Sequence, residues 1–122
     1  MEPGAPLEEG DGITLARMTG RKQFQGDLQG TSTVHMLTAA TGVERSGAYV
    51  AVERISGTLH GRRGSFVVQH NGTMTRGTPH LTITVVPDSG TGELAGLAGT
   101  MQIRIAGSEH FYELEYTLSE AR

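Results

Sequence analysis

Short runs of Thr, Val, Ile and aromatic residues recur along the chain from residue 13 onwards, and glycine interrupts each of them. Three runs alternate strictly between apolar and polar side chains, over residues 81–85, 101–105 and 112–118. Alternation with a period of two is typical of strands that bury one face of a sheet and leave the other in water. No window shows sustained helical spacing. The pattern predicts strands over residues 13–24, 27–40, 48–60, 64–75, 79–87, 94–106 and 109–119.

The connections between these strands are short, which favours an antiparallel meander. A sheet with one apolar face must either pack on a second sheet or close on itself. The dipeptide Gly-Thr occurs six times, and the copies at Gly30, Gly57, Gly72 and Gly99 fall inside predicted strands. Glycine weakens a strand unless the strand bends sharply there, and the coiled strands of a small barrel need such bends. The sequence therefore predicts an all-β fold, a small closed antiparallel barrel of about eight strands.

The length of 122 residues is enough for one domain that buries a core without disulfides. The first twelve residues, MEPGAPLEEGDG, contain two Pro, three Gly and four acids, and almost nothing to bury. Such a composition predicts a flexible tail over residues 1–12. Residues 13–122 are then expected to form a single barrel domain.

Charge and composition exclude several classes of function. A net charge of −3, with only short basic clusters, argues against a nucleic-acid partner. No apolar run approaches the length of about eighteen residues that crosses a bilayer, and the start lacks the basic and apolar regions of a signal peptide. The expected location is the cytoplasm, with no membrane partner.

No motif indicates a metal or a cofactor. Cysteine is absent, and the five histidines are scattered without metal-ligand spacing. The stretch DSGTGELAGLAG (88–99) lacks the lysine of a phosphate-binding loop and the βαβ context of a dinucleotide site. We expect its glycines to adopt the left-handed conformations of turns and bends, and Glu93 to cap the backbone amides of the loop. We therefore expect neither a cofactor nor a metal.

Three stretches carry a family resemblance: YVAVERISGTLHGRRGSFVVQHNGTM (49–74), TVVPDSGTGELAGLAGTMQI (84–103) and HFYELEYTL (110–118). They resemble a bacterial family of uncharacterised domains with G-S-F-V-x-Q-H-x-G and V-V-P-x-S-G-T-G-E-L-x-G-L-x-G motifs, grouped with the allene oxide cyclase-like β-barrels. The resemblance spans residues 14–118 and implies a closed barrel similar in shape to lipocalins. It implies no settled activity, although relatives in the wider barrel class include cyclases that fold a polyene or polyketide in the lumen.

Glu53 and His70 are the candidate catalytic residues. A hairpin between residues 59 and 65 with two or four loop residues places both side chains on one face, together with Tyr49, Phe66 and Val68. This face is mostly apolar, so we expect it to line the barrel interior. A carboxylate and an imidazole there can move a proton to or from a carbonyl or enol. The alternatives are a satisfied buried ion pair that fixes strand register, or a surface pair if the interior lies on the other side.

The other inward positions predict a ligand-binding lumen. An eight-strand barrel has an interior just wide enough for side chains or one small ligand. Tyrosines on the last strand can hold a substrate carbonyl, or can simply pack with the hydroxyl at the barrel mouth. The expected lining residues are Tyr49, Phe66, Val68, Ile83, Ile103, Tyr112 and Tyr116.

The opposite face of these strands carries Val50, Val52 and Val67. An apolar outer surface on a small barrel predicts contact with another subunit. We expect a homo-oligomer, a dimer or a trimer. A bulge that flips the register within the strand is the alternative.

Three functional hypotheses follow. The first is a small barrel that binds an apolar or amphipathic small molecule in its lumen. The second is a cyclase or isomerase that acts there on a polyene- or polyketide-like substrate, with Glu53 and His70 as acid and base. The third is a structural or assembly domain whose lumen is filled by side chains. The sequence leaves open whether the protein is an enzyme.

Overall fold

The computed structural model describes residues 2–106 and 109–118. These residues form one sheet of eight antiparallel strands, in which each strand pairs with its neighbours in sequence, so the predicted meander is confirmed. A 3-10 turn over Gly92–Leu94 precedes the seventh strand. The strands are β1 (Glu2–Gly10), β2 (Ile13–Phe24), β3 (Leu28–Ala40), β4 (Gly47–Leu59), β5 (Arg62–Thr75), β6 (Thr78–Val85), β7 (Leu97–Ala106) and β8 (Glu109–Leu118).

The seven predicted strands correspond to β2 to β8. The largest difference is at the start of β7. The sequence predicts this strand from residue 94, but it begins at Leu97, because the chain first makes the 3-10 turn. The predicted end of the last strand at residue 119 lies outside the described residues. Within the described residues, this 3-10 turn is the one helical segment. The same residues contain no apolar helix long enough to cross a membrane.

In the described part of the chain, three hairpins turn on two residues whose φ angles are both positive. This is the signature of the type I′ turn, whose twist matches that of the flanking strands. Such turns prefer Asn, Asp or Gly at their first central position, because these residues tolerate the left-handed conformation best. The turns are Asp11-Gly12 (54° and 78°), His60-Gly61 (48° and 81°) and Arg76-Gly77 (45° and 91°).

The N-terminal segment is a strand, contrary to the predicted tail. Residues 2–10 form β1, which pairs with the first part of β2 through a register shifted on both sides of Pro6. All nine of its residues are exposed. The sequence signal fails here because the free backbone groups of β2, rather than any apolar burial, recruit this segment. Pro3 and Pro6 donate no backbone hydrogen bond, which suits an edge strand.

A closed barrel is not confirmed. Hydrogen-bonded pairs connect β1 through to β8 in sequence order, and within the described residues no ladder joins β8 back to β1. The inward side chains of the two ends of the sheet nevertheless meet, because the rings of Phe24 on β2 and Tyr112 on β8 lie 5.0 Å apart, edge to face. The sheet therefore curls around its own apolar face. On β2, β1 covers only residues 13–19.

Some glycines inside strands leave no room for a side chain. Gly57 on β4 pairs with Gly30 on β3, and a Cβ at Gly57 would lie 2.0 Å from the carbonyl oxygen of Gln29. The two strands thus approach each other more closely than side chains would allow.

The loop between β6 and β7 continues the sheet by means of its side chains. Backbone N–H groups of Val67, Ser65 and Arg63 on β5 donate to the side-chain oxygens of the loop at 3.0, 3.0 and 2.9 Å. The three acceptors, spaced two residues apart, are Ser89, Thr91 and Glu93. Glu93 therefore does not cap its own loop as predicted, because its carboxylate reaches the N–H of Arg63 instead. Leu94, 1% exposed, anchors the loop in the core.

The outward face is partly apolar, as the strand parity predicts. Val50 and Val52 on β4 are 50% and 48% exposed, and Leu37 on β3 pairs with Val50 and is 50% exposed. Val67 is only partly exposed, because the β6–β7 loop bonds to its backbone. The homo-oligomer stays a prediction.

Candidate functional site

A carboxylate is buried at the centre of β4. Glu53 is 1% exposed, and its inward neighbours on the strand are Ala51 and Ile55, which are also buried. Its Oε1 lies 2.8 Å from Nε2 of His70 on β5, and His70 is 3% exposed. The register pairs His70 with Ala51, two residues from Glu53. The predicted common face is therefore confirmed, and the surface-pair alternative is wrong.

Two further side chains complete this network. Ser32 on β3 donates its hydroxyl to Oε2 of Glu53 at 2.5 Å, and Nζ of Lys22 on β2 lies 3.5 Å from Oε1. Neither residue follows from the sequence pattern. Each of them stands two positions before a buried apolar residue, Lys22 before Phe24 and Ser32 before Val34, and therefore on the same face of its strand. This spacing identifies them as neighbours of Glu53 only once the strand register is known.

The Glu53 carboxylate is ionised at neutral pH. Burial on its own raises the pKa of Glu53, but hydrogen bonds from His70 and Ser32, together with the positive charge of Lys22, outweigh it and bring the pKa below its ordinary value. Because an ionised carboxylate only accepts hydrogen bonds, Nε2 of His70 carries a proton. In the neutral imidazole the basic lone pair then lies on Nδ1.

Tyr49 stands beside this network on the same face. Its ring centroid is 6.2 Å from that of His70, and its ring covers Gly72, its cross-strand partner on β5. A Cβ at Gly72 would lie 2.5 Å from Cε1 of Tyr49, so glycine is needed for the ring to lie there. Burial, and then the nearby charge of Glu53, raise the pKa of Tyr49. The phenol therefore keeps its proton as a hydrogen-bond donor.

A cavity of about 310 Å³ lies at the end of the inward face where Tyr49 is placed. Glu53 and His70 lie further along the same face, away from the cavity mouth. On β5, His70 is the next inward-facing residue after the cavity-lining Gly72, and on β4, Glu53 is the second inward-facing residue after Tyr49. Leu81 and Met74 are 40% and 39% exposed, so the cavity opens to solvent between them. Its inward-facing lining consists of Met36, Thr38, Gly47, Tyr49, Gly72, Met74, Pro79 and Leu81.

Comparisons with known proteins agree on one family. A family model described as a protein of unknown function (DUF3224) matches residues 1–116. The chain belongs to the DUF3224 family. A crystal structure of a DUF3224 protein of unknown function from Shewanella oneidensis MR-1 is 46% identical, with a TM-score of 0.93, over 98% of this chain and 90% of that one. No curated protein matches the chain.

In this DUF3224 chain the residues predicted to line a lumen fall into two groups. Tyr49 lines the cavity. The other six pack within the apolar core or against it, and their part in ligand binding stays a prediction. They are Phe66, Val68, Ile83, Ile103, Tyr112 and Tyr116.

A larger groove of about 410 Å³ lies on the outward face of the DUF3224 sheet. It is formed mainly by half-exposed strand side chains such as Leu37, Val50 and Val52. Its lining also includes the inward-facing Met36 and Ala51 but neither Glu53 nor His70. We assign the candidate site to the smaller inward cavity, because that cavity adjoins the buried polar network and has an aromatic wall.

The described part of this DUF3224 chain brings no three His, Asp or Glu side chains close enough to hold a metal ion. The buried carboxylate is already engaged by Ser32, His70 and Lys22.

Proposed function

We propose that this DUF3224 protein binds an apolar or amphipathic small molecule in the inward cavity. The observation that carries the proposal is the cavity of about 310 Å³ with Tyr49 in its wall. Small-molecule sites are typically concave and mostly apolar, with a few placed polar groups, and begin at roughly 300 Å³. The Tyr49 hydroxyl supplies one such group.

We also infer that the curled sheet belongs to the allene oxide cyclase-like barrel class. Support comes from the contact between Phe24 and Tyr112, which brings the second and last strands together across the interior. A closed barrel of this kind would enclose the inward face on all sides and leave the cavity at its mouth.

A neutral fluorescent probe tests the binding function. N-phenyl-1-naphthylamine is expected to bind with a stoichiometry near one per chain. Replacing Leu81, which lines the cavity and is 40% exposed, with Glu is expected to weaken binding about tenfold or more, because the probe must then cover a carboxylate. Fluorescence titration measures both quantities.

The matched control is Leu37→Glu. Leu37 is similarly exposed but lies on the outward groove, so binding to the inward cavity should be unchanged in this variant. If Leu37→Glu abolishes binding and Leu81→Glu does not, the outward groove is the binding site. If the folded protein binds no probe, the structural hypothesis of a filled interior replaces the binding function.

A second candidate function is proton transfer to or from a bound carbonyl compound, as in a cyclase or isomerase. The observation that favours it is the hydrogen bond of 2.8 Å between Glu53 and Nε2 of His70, which leaves Nδ1 as the basic nitrogen. Glu53 then orients the imidazole, and His70 acts as the base. Both oxygens of Glu53 are engaged by neighbours, so the carboxylate is not the group that meets a substrate.

Deuterium exchange at the α-carbon of 1-tetralone, an apolar ketone of suitable size, tests this second function by NMR. The protein is expected to accelerate exchange, and His70→Asn is expected to lose about 10²–10⁴ of that acceleration, the usual contribution of a general base. His35→Asn, which changes an exposed outward histidine, should keep the full rate. Equal rates for the protein, for His70→Asn and for buffer would contradict proton transfer.

A further inference from the structure

Two loops meet at the solvent-facing end of the inward cavity. The loop between β3 and β4 leads into Gly47, and the β5–β6 turn leads into Pro79, and both of these residues line the cavity. The backbone N–H of Gly77 donates to the carbonyl oxygen of Arg45 at 2.9 Å. The N–H of Arg76 donates to Oγ of Ser46 at 2.8 Å. These bonds hold Arg45 and Arg76 next to each other on the rim.

Both arginines occupy left-handed backbone positions, with φ angles of 62° for Arg45 and 45° for Arg76. Arginine is not favoured in this conformation, because Asn, Asp or Gly adopts it with less backbone strain. The β1–β2 turn uses the favoured Asp11. The β4–β5 turn uses His60, whose ring stacks on Tyr116 with centroids 5.9 Å apart. At the β4–β5 turn the less favoured residue is thus accompanied by a side-chain contact of its own.

The guanidinium of Arg45 extends from its own loop across the β5–β6 turn. A Cβ on Gly77 would lie 3.0 Å from Cζ and 3.1 Å from Nη2 of Arg45, so the guanidinium packs over this glycine. The salt bridges of the described residues are made by Lys22, His70 and Arg104. Arg45 and Arg76 are both exposed and are not among them.

The acidic residues at this end of the sheet lie at the end of β1 and in its turn (Glu8, Glu9 and Asp11), in the loop before Arg45 (Glu44) and at the start of β8 (Glu109). Of the first four, none lines the cavity and none forms a salt bridge with described residues. The cavity wall itself is mostly apolar and contains no Asp, Glu, Lys or Arg. Arg45 and Arg76 are therefore the cationic residues that the two rim loops bring together beside this cavity.

We propose that the ligand is an amphipathic anion: an apolar body that lies against Met36, Tyr49 and Leu81, and one carboxylate or sulfonate group held by Arg45 and Arg76. The proposal rests on the proposed binding function and names the class of ligand. Guanidinium groups present several N–H donors in a planar fork that suits such oxyanions, and they stay charged at any physiological pH.

Two fluorescent probes with one skeleton test the proposal. They are 1-anilinonaphthalene-8-sulfonate and the neutral N-phenyl-1-naphthylamine, which lacks the sulfonate. The sulfonate probe is expected to bind about tenfold more tightly than the neutral one at low salt, a gain within the range of Coulomb attraction near a protein surface. Arg45→Gln combined with Arg76→Gln is expected to remove this preference and leave the affinity for the neutral probe unchanged.

The matched control is Arg62→Gln combined with Arg63→Gln, which removes two exposed arginines at the opposite end of the sheet and in which the preference should persist. Equal affinities for the two probes in the unmodified protein would overturn the anion proposal while the binding function stands. A preference that falls as much in this control as in the rim variant would also overturn it, because net charge would then be the cause. If neither probe binds, the binding function and the anion proposal both fail.

Discussion

Replacing Glu53 with Ala is expected to lower the free energy of unfolding by about 3–5 kcal/mol, the usual cost of removing one partner from a buried ion pair. The carboxylate is 1% exposed and accepts hydrogen bonds from Ser32 and His70, with Lys22 at 3.5 Å. Its removal leaves the buried Ser32 hydroxyl and His70 Nε2 without an acceptor, and leaves Lys22, whose side chain is 27% exposed, without its counter-ion. Urea denaturation at pH 7 measures the loss.

Glu113→Ala is the matched control. Glu113 also forms an ion pair, with Nε of Arg104 at 3.1 Å, but its side chain is 54% exposed. Exposed pairs of this kind contribute no more than about 1 kcal/mol. If the two variants lose similar stability, the buried network does not stabilise the fold, and the interpretation of Glu53 as an anchored carboxylate is wrong.

The pH dependence of the same site has a defined sign. Because the folded-state pKa of Glu53 lies below its ordinary value, the carboxylate contributes stability above the unfolded-state pKa of about 4.3. That contribution is lost as the pH falls through the folded-state pKa. The stability difference between the protein and Glu53→Gln should therefore be constant near neutral pH and narrow below about pH 4. A difference that widens on acidification would contradict the sign.

Leu94→Ala is expected to cost about 2–5 kcal/mol, the range for a buried leucine that leaves a cavity. Leu94 is 1% exposed and belongs to the core cluster with Phe66 and Leu97. It also anchors the loop whose Ser89 and Thr91 side chains accept hydrogen bonds from β5. Without this anchor, the loop is held less firmly in the position that these hydrogen bonds require. Thermal and urea unfolding measure the effect.

Leu7→Ala provides the comparison for this second variant. Leu7 lies on β1 and is 60% exposed, so the same truncation there should change stability by no more than about 0.5 kcal/mol. A cost for Leu94→Ala as small as that for Leu7→Ala would show that the loop is held by its hydrogen bonds alone.

Local patterns in the sequence were enough to predict most of the strands. Alternation over residues 81–85, for example, falls within β6, where Ile83 and Val85 are buried and Thr82 and Thr84 are exposed. The common face of Glu53 and His70 was predictable for the same reason, since a two-residue turn preserves the parity between β4 and β5.

Features that depend on register across more than one hairpin could not be predicted. Ser32 and Lys22 reach Glu53 because of the pairing of β2, β3 and β4, and neither residue carries a local signal of burial. The strand β1 was missed because it buries nothing and is held by backbone bonds. Whether β8 pairs with β1 is likewise a matter of contact between the two ends of the chain, which local alternation does not encode.

The strictly sequential strand order has a consequence for how the chain can assemble. Each ladder joins segments that are adjacent along the chain, and the turns Asp11-Gly12, His60-Gly61 and Arg76-Gly77 are only two residues long. The entropy cost of closing loops rises with their length, so the sheet can grow one hairpin at a time at a low cost for each step. The contact between Phe24 and Tyr112 is different, because it joins residues from opposite ends of the chain. It depends on every ladder in between and can form only when the curl of the sheet is nearly complete.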